Sequence, residues 1–230
     1  MYVLTSHLVQ VFTVTLKVVP TRSWSSEILE KINLPSLNSV SGHLDVDLEI
    51  HPDLKGAFKT AHSGSISLTS STGVLPPSLS GKVCVKQLYF LRNGTVKRYG
   101  IKEERSYILS EVACLDWARI LLNLTYSFIE DFEDRESFPG TIPKLQFVEA
   151  AMAEVCGEEK IFLIEEWINT SEAPFIKYIN NARAVSCVPQ TAHEDIKNIA
   201  KFLCFAQHVQ YHFTSGLMFT SDYQGMSKMG

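Results

Sequence analysis

The chain has 230 residues, 45% of them hydrophobic and 20% charged, with a formal net charge of −4. That is enough chain for one large domain or two small lobes with cores of their own. The weakly acidic balance leaves no basic field for non-specific binding of nucleic acid or anionic lipid, so neither a nucleic-acid nor a membrane partner is expected.

At the N-terminus, Met1-Tyr2-Val3-Leu4-Thr5-Ser6-His7 carries no basic stretch and no small-residue cleavage site, so it does not read as a signal peptide. Val11, Thr13 and Thr15 alternate with Phe12, Val14 and Leu16, the period of a strand. Residues 1–40 are therefore expected to form a strand-containing extension. The nine residues His43–His51 alternate polar and apolar and predict a half-buried strand. Ser65–Leu68 predicts another, followed by a Ser/Thr/Gly/Pro-rich loop to about residue 80. Val83–Phe90 reads as a strand, and Arg92-Asn93-Gly94-Thr95 as an Asn-Gly hairpin turn.

Near Ser106 the period changes. Val112, Leu115, Ala118, Leu122 and Tyr126 recur at helical steps and predict a long helix to about Phe132, broken by Pro139, Gly140 and Pro143. Two strands are expected at Leu145–Val148 and Ile161–Ile164, separated by the apolar segment Ala150–Val155 and a turn at Gly157. A last helix is expected to begin near Thr191, where Thr191 and Glu194 have capping-box spacing. Leu217–Phe219 reads as strand-like. The order implies an α+β chain in two lobes, one β-rich over about 41–160 and one mixed over 171–225, with a hinge at 161–170 and a ligand cleft between them. Residues 226–230 form a divergent tail.

Several side chains in this frame carry possible chemistry. Lys86 follows a V-x-V run, so its ammonium would sit on a rigid strand as a point charge suited to phosphates; the alternative is an edge-strand lysine facing water. Lys59 would supply a second positive charge. Glu111, in the long helix, either pairs with Lys86 or serves the helix N-terminus. Glu165 and Glu166 follow an apolar strand and are either solvated or a hinge that reads a base edge. Asn180 and Asn181 are either ribose or phosphate contacts or an ordinary turn. His208 and His212, four apart on one helix face, could begin a metal site, though no second Cys or His pair follows. Asp222 and Gln224, two apart in a chain read as extended, would face one side together and suit a magnesium ion shared with nucleotide phosphates. The five cysteines Cys84, Cys114, Cys156, Cys187 and Cys204 are scattered without C-x-x-C spacing, which predicts reduced, mostly buried thiols in an intracellular, cytoplasmic protein.

Taken in order, Val83-Cys84-Val85-Lys86, Phe162-Leu163-Ile164-Glu165-Glu166-Trp167-Ile168, Phe175-Ile176-Lys177-Tyr178-Ile179-Asn180-Asn181, Phe205-Ala206-Gln207-His208 and Ser221-Asp222-Tyr223-Gln224-Gly225 resemble the motifs of the α-kinase domain, the atypical kinase family of myosin heavy chain kinase and elongation factor 2 kinase. The resemblance spans roughly Asp45 to Gly225. It implies an atypical protein-kinase-like fold, and transfer of the γ-phosphoryl group of ATP to Ser or Thr of a protein substrate. It implies Lys86 and Lys59 on the phosphates, Glu165 on the adenine, Asn180 or Asn181 near the phosphates, Asp222 and Gln224 on magnesium, and His208 as the first ligand of a structural zinc. In that pattern a T-D-P-Q-like segment with a further carboxylate and the remaining zinc ligands follows D-x-Q-G. This chain reads Met226-Ser227-Lys228-Met229-Gly230 there, which implies a truncated domain with an incomplete zinc site. The alternative function is an inactive pseudokinase that binds nucleotide or protein.

Overall fold

A computed structural model describes residues 9–20, 22, 37–48, 56, 58–69, 75–132, 141–169, 174–182 and 185–226. The chain divides into two compact units, and the division falls within one long helix, after Asp116.

The first unit is built on a closed six-stranded barrel. Its strands are β1 (Val9–Val18), β2 (Asn38–Asp47), β3 (Lys59–Leu68), β4 (Gly81–Leu88), β7 (Ala150–Val155) and β8 (Ile161–Glu166), in the order β1-β2-β3-β4-β8-β7. A hairpin of β5 (Phe90–Arg92) and β6 (Thr95–Lys97) leads to helix α1 (Ile101–Asp131). Every barrel pairing is antiparallel, and β1 closes the ring against β7 with Val14 opposite Val155.

Period-2 alternation sends Phe12, Val14, Leu16, Val40, Leu44, Val46, Ile66, Val83 and Val85 inward, where they meet Ala151, Ala153, Phe162 and Ile164. Gly64 is required where β3 passes inside: a Cβ there would lie 2.6 Å from Val85 Cγ2 and 2.9 Å from the Asp45 carbonyl oxygen. On the outer face Leu88, Ala150, Met152, Ile161 and Leu163 form a second core with Ile108 and Val112 of α1. Strands β7 and β8 are therefore buried on both faces, whereas β1–β3 show water one side. The β5–β6 turn has Asn93 and Gly94 at φ 51° and 75°, the left-handed pair that an Asn-Gly hairpin demands.

The second unit holds α1 from Trp117 onward, the two-residue strands β9 (Ile176–Lys177) and β10 (Gln224–Gly225), and helix α2 (Glu194–Phe213). Its core joins Leu122 and Ile129 of α1 to Ile199, Phe202 and Leu203 of α2, with Tyr178, Ile179 and Tyr223. By length and composition α1 is apolar enough to cross a membrane, and half of that stretch is buried inside the protein.

Several expectations change. The strand expected before residue 41 is present as β1, and it is a stave of the barrel paired along both edges. The strand expected at Leu145–Val148 is irregular chain, and the apolar segment Ala150–Val155 is the strand, held between β1 and β8. The strand expected at Ile161–Ile164 is β8, and it runs on through Glu165 and Glu166 of the stretch placed in a hinge. Helix α1 starts at Ile101, five residues early, with Glu103 and Glu104 in its first turn. Helix α2 starts at Glu194, and its N-cap is His193, whose Nδ1 accepts from the Asp195 N–H at 3.4 Å; Thr191 is not the cap. Leu217–Phe219 is not a strand. Of the five free cysteines, Cys114, Cys156 and Cys187 are exposed and Cys84 and Cys204 half-buried, so none is a core thiol. The loop expected between residues 69 and 80 falls partly outside the described residues, as does the end of the strand expected to reach His51.

Candidate functional site

In the first unit the relevant side chains share the outer face of the barrel. On β4, Cys84 and Lys86 point away from the interior that Val83 and Val85 fill. On β8, Glu165 stands opposite Cys84. The Lys86 ammonium donates to Glu165 Oε2, so lysine and glutamate on neighbouring strands form one half-buried ion pair. On β3, Ala61 stands opposite Lys86 and Lys59 opposite Leu88. Lys59 is therefore the diagonal neighbour of Lys86 on the same face. Its ammonium lies 2.8 Å from Glu111 Oε2 of α1. Neither alternative for Glu111 holds: α1 starts ten residues before it, and strand register puts Glu165 beside Lys86 and leaves Glu111 to Lys59.

Burial pushes the Cys84 thiol above its ordinary range; Lys86 draws it back down and Glu165 adds to the rise. At the end of β4, Lys82 lies over the Trp167 ring, 3.9 Å from its centroid, a cation–π contact beside the Glu165 end of β8. Deeper in the unit, Arg98 Nη2 donates to both carboxylate oxygens of Glu104, at 2.7 and 2.8 Å, and Glu104 is 2% exposed.

In the second unit the chain reverses after α2. Thr214, fully buried, has its hydroxyl oxygen 2.8 Å from both the Gln210 and Met218 carbonyl oxygens, which share its single proton, and accepts from the Met218 N–H at 3.0 Å. Ser215 and Gly216 adopt left-handed φ values of 53° and 81° to make the turn. The returning segment is clamped by two buried glutamines one helical turn apart. Gln207 Nε2 donates to the Thr220 carbonyl at 2.9 Å, and Gln210 Oε1 accepts from the Thr220 N–H at 2.8 Å. Tyr223 then enters the core, its carbonyl accepting from the N–H groups of Tyr178 and Ile179. Burial pushes its phenol up to about 12, against the opposing effect of hydrogen bonds from Gln210 and Thr220.

This clamp presents Asp222, which pairs with Lys177 of β9, and Gln224, which stands opposite Lys177 in the β9–β10 register. Asp222 has φ 61°, so the chain is not extended there, and the alternation that put Asp222 and Gln224 on one side does not apply. What brings the two together is Lys177. Asn180 makes a turn, with Oδ1 accepting from the Ala182 N–H at 3.0 Å, and its carbonyl accepts from the Ser221 hydroxyl at 3.2 Å. Asn181 is exposed at the turn's tip.

His208 and His212 are both exposed on α2. Among the described residues no group of three or more His, Cys, Asp or Glu side chains could hold a metal ion, so the residues described do not fit a zinc centre around His208. The donor set of Asp222 and Gln224, one carboxylate and one carboxamide, fits a hard cation that takes most of its ligands from phosphate and water.

The profile of the Alpha-kinase family matches residues 62–229. The chain belongs to the alpha-kinase family. Solved structures agree with this alpha-kinase fold. An alpha kinase from Entamoeba histolytica superposes with a TM-score of 0.59 at 13% identity, over 95% of this chain and 73% of that one. The alpha-kinase domain of myosin heavy chain kinase A in complex with ADP gives 0.55 at 14%, over 96% and 80%. The same domain with AMPPCP gives 0.52 at 13%, over 95% and 79%. No curated protein matches the sequence. At such identities the structural likeness shows the fold alone.

Lys86, Glu165, Asp222 and Gln224 lie within the motifs and Lys59 before them, while Lys82, Arg98, Glu104 and Thr214 lie outside them. Lys177 lay inside the Phe175–Asn181 motif without a role, and Gln210 was passed over. A glutamine on the apolar face of α2, one turn from Gln207, was the available signal.

Proposed function

We propose that this alpha-kinase chain is a protein serine/threonine kinase that transfers the γ-phosphoryl group of ATP to a Ser or Thr hydroxyl of a protein. The observation that carries this reading is the pair of lysines, Lys59 and Lys86, fixed as diagonal neighbours on one barrel face with Glu165 beside them. The relatives solved with ADP and AMPPCP support nucleotide as the ligand.

In this reading Lys86 and Lys59 hold phosphate oxygens, and Glu165 accepts from the adenine amino group. An ammonium has three donors, so Lys86 can keep Glu165 and still bind a phosphate. Asp222 and Gln224 would hold magnesium, which supplies charge neutralisation at the phosphates. Lys177 sets the orientation of Asp222 beforehand. In the transfer the bond from the γ-phosphorus to its bridging oxygen breaks. A bond from that phosphorus to the substrate hydroxyl oxygen forms, ADP departs with the bridging oxygen, and the hydroxyl proton passes to solvent water. Positioning and charge account for most of such catalysis. An intracellular, cytoplasmic setting follows from the use of ATP.

The test has two arms. Mg-ATP at a hundredfold over its Kd should stabilise the fold by about 2.7 kcal/mol, a rise of roughly 5–11 °C in Tm for a chain of this size. Lys86→Met should abolish the rise. Transfer of labelled phosphate to a basic protein substrate should accompany it. A Tm rise without transfer would assign the chain to the alternative, a nucleotide-binding pseudokinase. Neither response would remove the nucleotide reading altogether.

A further inference from the structure

We propose that Glu111 is a positioning residue for the nucleotide site, holding the Lys59 ammonium where phosphate oxygens meet it. The inference rests on the reading of Lys59 and Lys86 as phosphate contacts. It starts from an asymmetry between the two lysines. Lys86 lies inside β4, between β3 and β8, and its partner Glu165 is on a neighbouring strand. Lys59 is the first residue of β3, preceded by exposed Phe58 and by a turn in which the Gly56 N–H donates to the Lys59 carbonyl. Strand pairing orients its backbone, and the ion pair that its ammonium makes among the described residues comes from α1 rather than from the sheet.

Glu111 supplies that pair from a different element. It lies mid-way along the part of α1 packed on the barrel, between Ile108 and Val112, which are 0% and 1% exposed. Those two side chains lock this turn of helix against the sheet. The carboxylate thus sits on a rigid base 2.8 Å from the Lys59 ammonium. Both side chains remain partly open, 26% exposed for Lys59 and 43% for Glu111. A pair this exposed contributes little to folding. What it does change is the freedom of a four-carbon stem beside the site, and pre-orienting a ligand contact raises affinity by removing that freedom from the cost of binding.

Charge alone makes the opposite prediction. Removing a carboxylate beside a phosphate site should tighten anion binding, so the two accounts separate cleanly. The experiment measures the Kd of Mg-AMPPCP by calorimetry for the full chain and for Glu111→Gln, Glu111→Asp, Lys59→Met and the Lys59→Met/Glu111→Gln double variant. If Glu111 positions Lys59, Glu111→Gln and Glu111→Asp both weaken binding about three- to fivefold, the scale of one exposed pair. The aspartate fails although it keeps the charge, because it is one methylene short. In the Lys59→Met background Glu111→Gln causes no further loss. Melting temperatures without nucleotide stay within about 3 °C of the native chain, as expected for so exposed a pair. Unchanged or tighter binding by Glu111→Gln, or an equal loss with and without Lys59, would overturn the inference while leaving the nucleotide reading intact. No binding by the native chain, with Lys86→Met indistinguishable from it, would sink the nucleotide reading itself.

Discussion

Replacing Gln210 by leucine tests whether the glutamine clamp holds the Asp222 segment. Gln210 is fully buried, and its carboxamide serves three partners: the Thr220 N–H at 2.8 Å, and the Thr125 and Tyr223 hydroxyls, each at 3.4 Å. The two long bonds contribute little, and the Thr125 hydroxyl also donates to the Leu121 carbonyl at 3.0 Å. The short bond dominates. Leucine fills a similar volume but leaves the Thr220 N–H without its acceptor, at about 1–3 kcal/mol. Gln210→Leu should therefore cost about 2 kcal/mol, a fall of roughly 4–8 °C in Tm. Gln210→Ala adds a cavity and should cost about 3–4 kcal/mol. Tyr223→Phe removes a hydroxyl held by Gln210 at 3.4 Å and by Thr220, and should cost about 1 kcal/mol. Urea unfolding of the three variants gives the ranking, and hydrogen exchange at the Thr220 amide should show protection lost in both Gln210 variants. A Gln210→Leu protein within 0.5 kcal/mol of native, or one no less stable than Tyr223→Phe, would refute the clamp.

Arg98→Met strands the buried Glu104 carboxylate and should cost about 3–5 kcal/mol at pH 7. Burial already raises the Glu104 carboxyl against the pull of Arg98, so losing Arg98 raises it further, and thermal melts of variant and native should converge as pH falls through the raised Glu104 value and the carboxylate is protonated in both. The Tyr223 phenol, pushed up to about 12, favours the fold below its ordinary value of 10, and that contribution is lost as pH rises between the two. Tyr223→Phe should accordingly flatten the alkaline limb of a stability–pH curve over that window. Gly64→Ala, which drives a methyl group into Val85 and the Asp45 carbonyl, should cost about 2 kcal/mol or more by denaturant melts. Cys84 should alkylate more slowly than exposed Cys114, Cys156 and Cys187, because its thiol is half-buried and raised. Mg-ATP should slow Cys84 alone in peptide mass spectrometry; no such protection would place nucleotide away from the Lys86 face.

Local signals in the sequence were read correctly where local chemistry decides the structure. Asn93-Gly94 made its hairpin, β4 and β8 followed their apolar runs, and the helical spacing of Val112, Leu115 and Leu122 lay within α1. Long-range pairing decided the rest. Ala150–Val155 carries three alanines, a composition with little strand preference, and becomes a strand because β1 and β8 bond it on both edges. Lys86 and Glu165 were each singled out, but their pairing needed the antiparallel register of β4 and β8, which no periodicity reveals. Asp222 was assigned extended geometry from its spacing to Gln224. Its left-handed backbone arises from the clamp on Thr220 and the Tyr223 anchor, contacts that come from more than ten residues away.

Ring closure through β1 bears on how this kinase fold should be cut and made. The family match begins at residue 62, inside β3, yet the ring is sealed by residues near 14 meeting residues near 155. A fragment trimmed to the match would lose two staves and the start of a third. It would bare the hydrogen-bonding edges of β3 and β7 and invite sticking between copies. During synthesis, likewise, the first hairpin must wait for more than a hundred further residues before its last neighbour exists, a delay that favours slow folding and a need for chaperones.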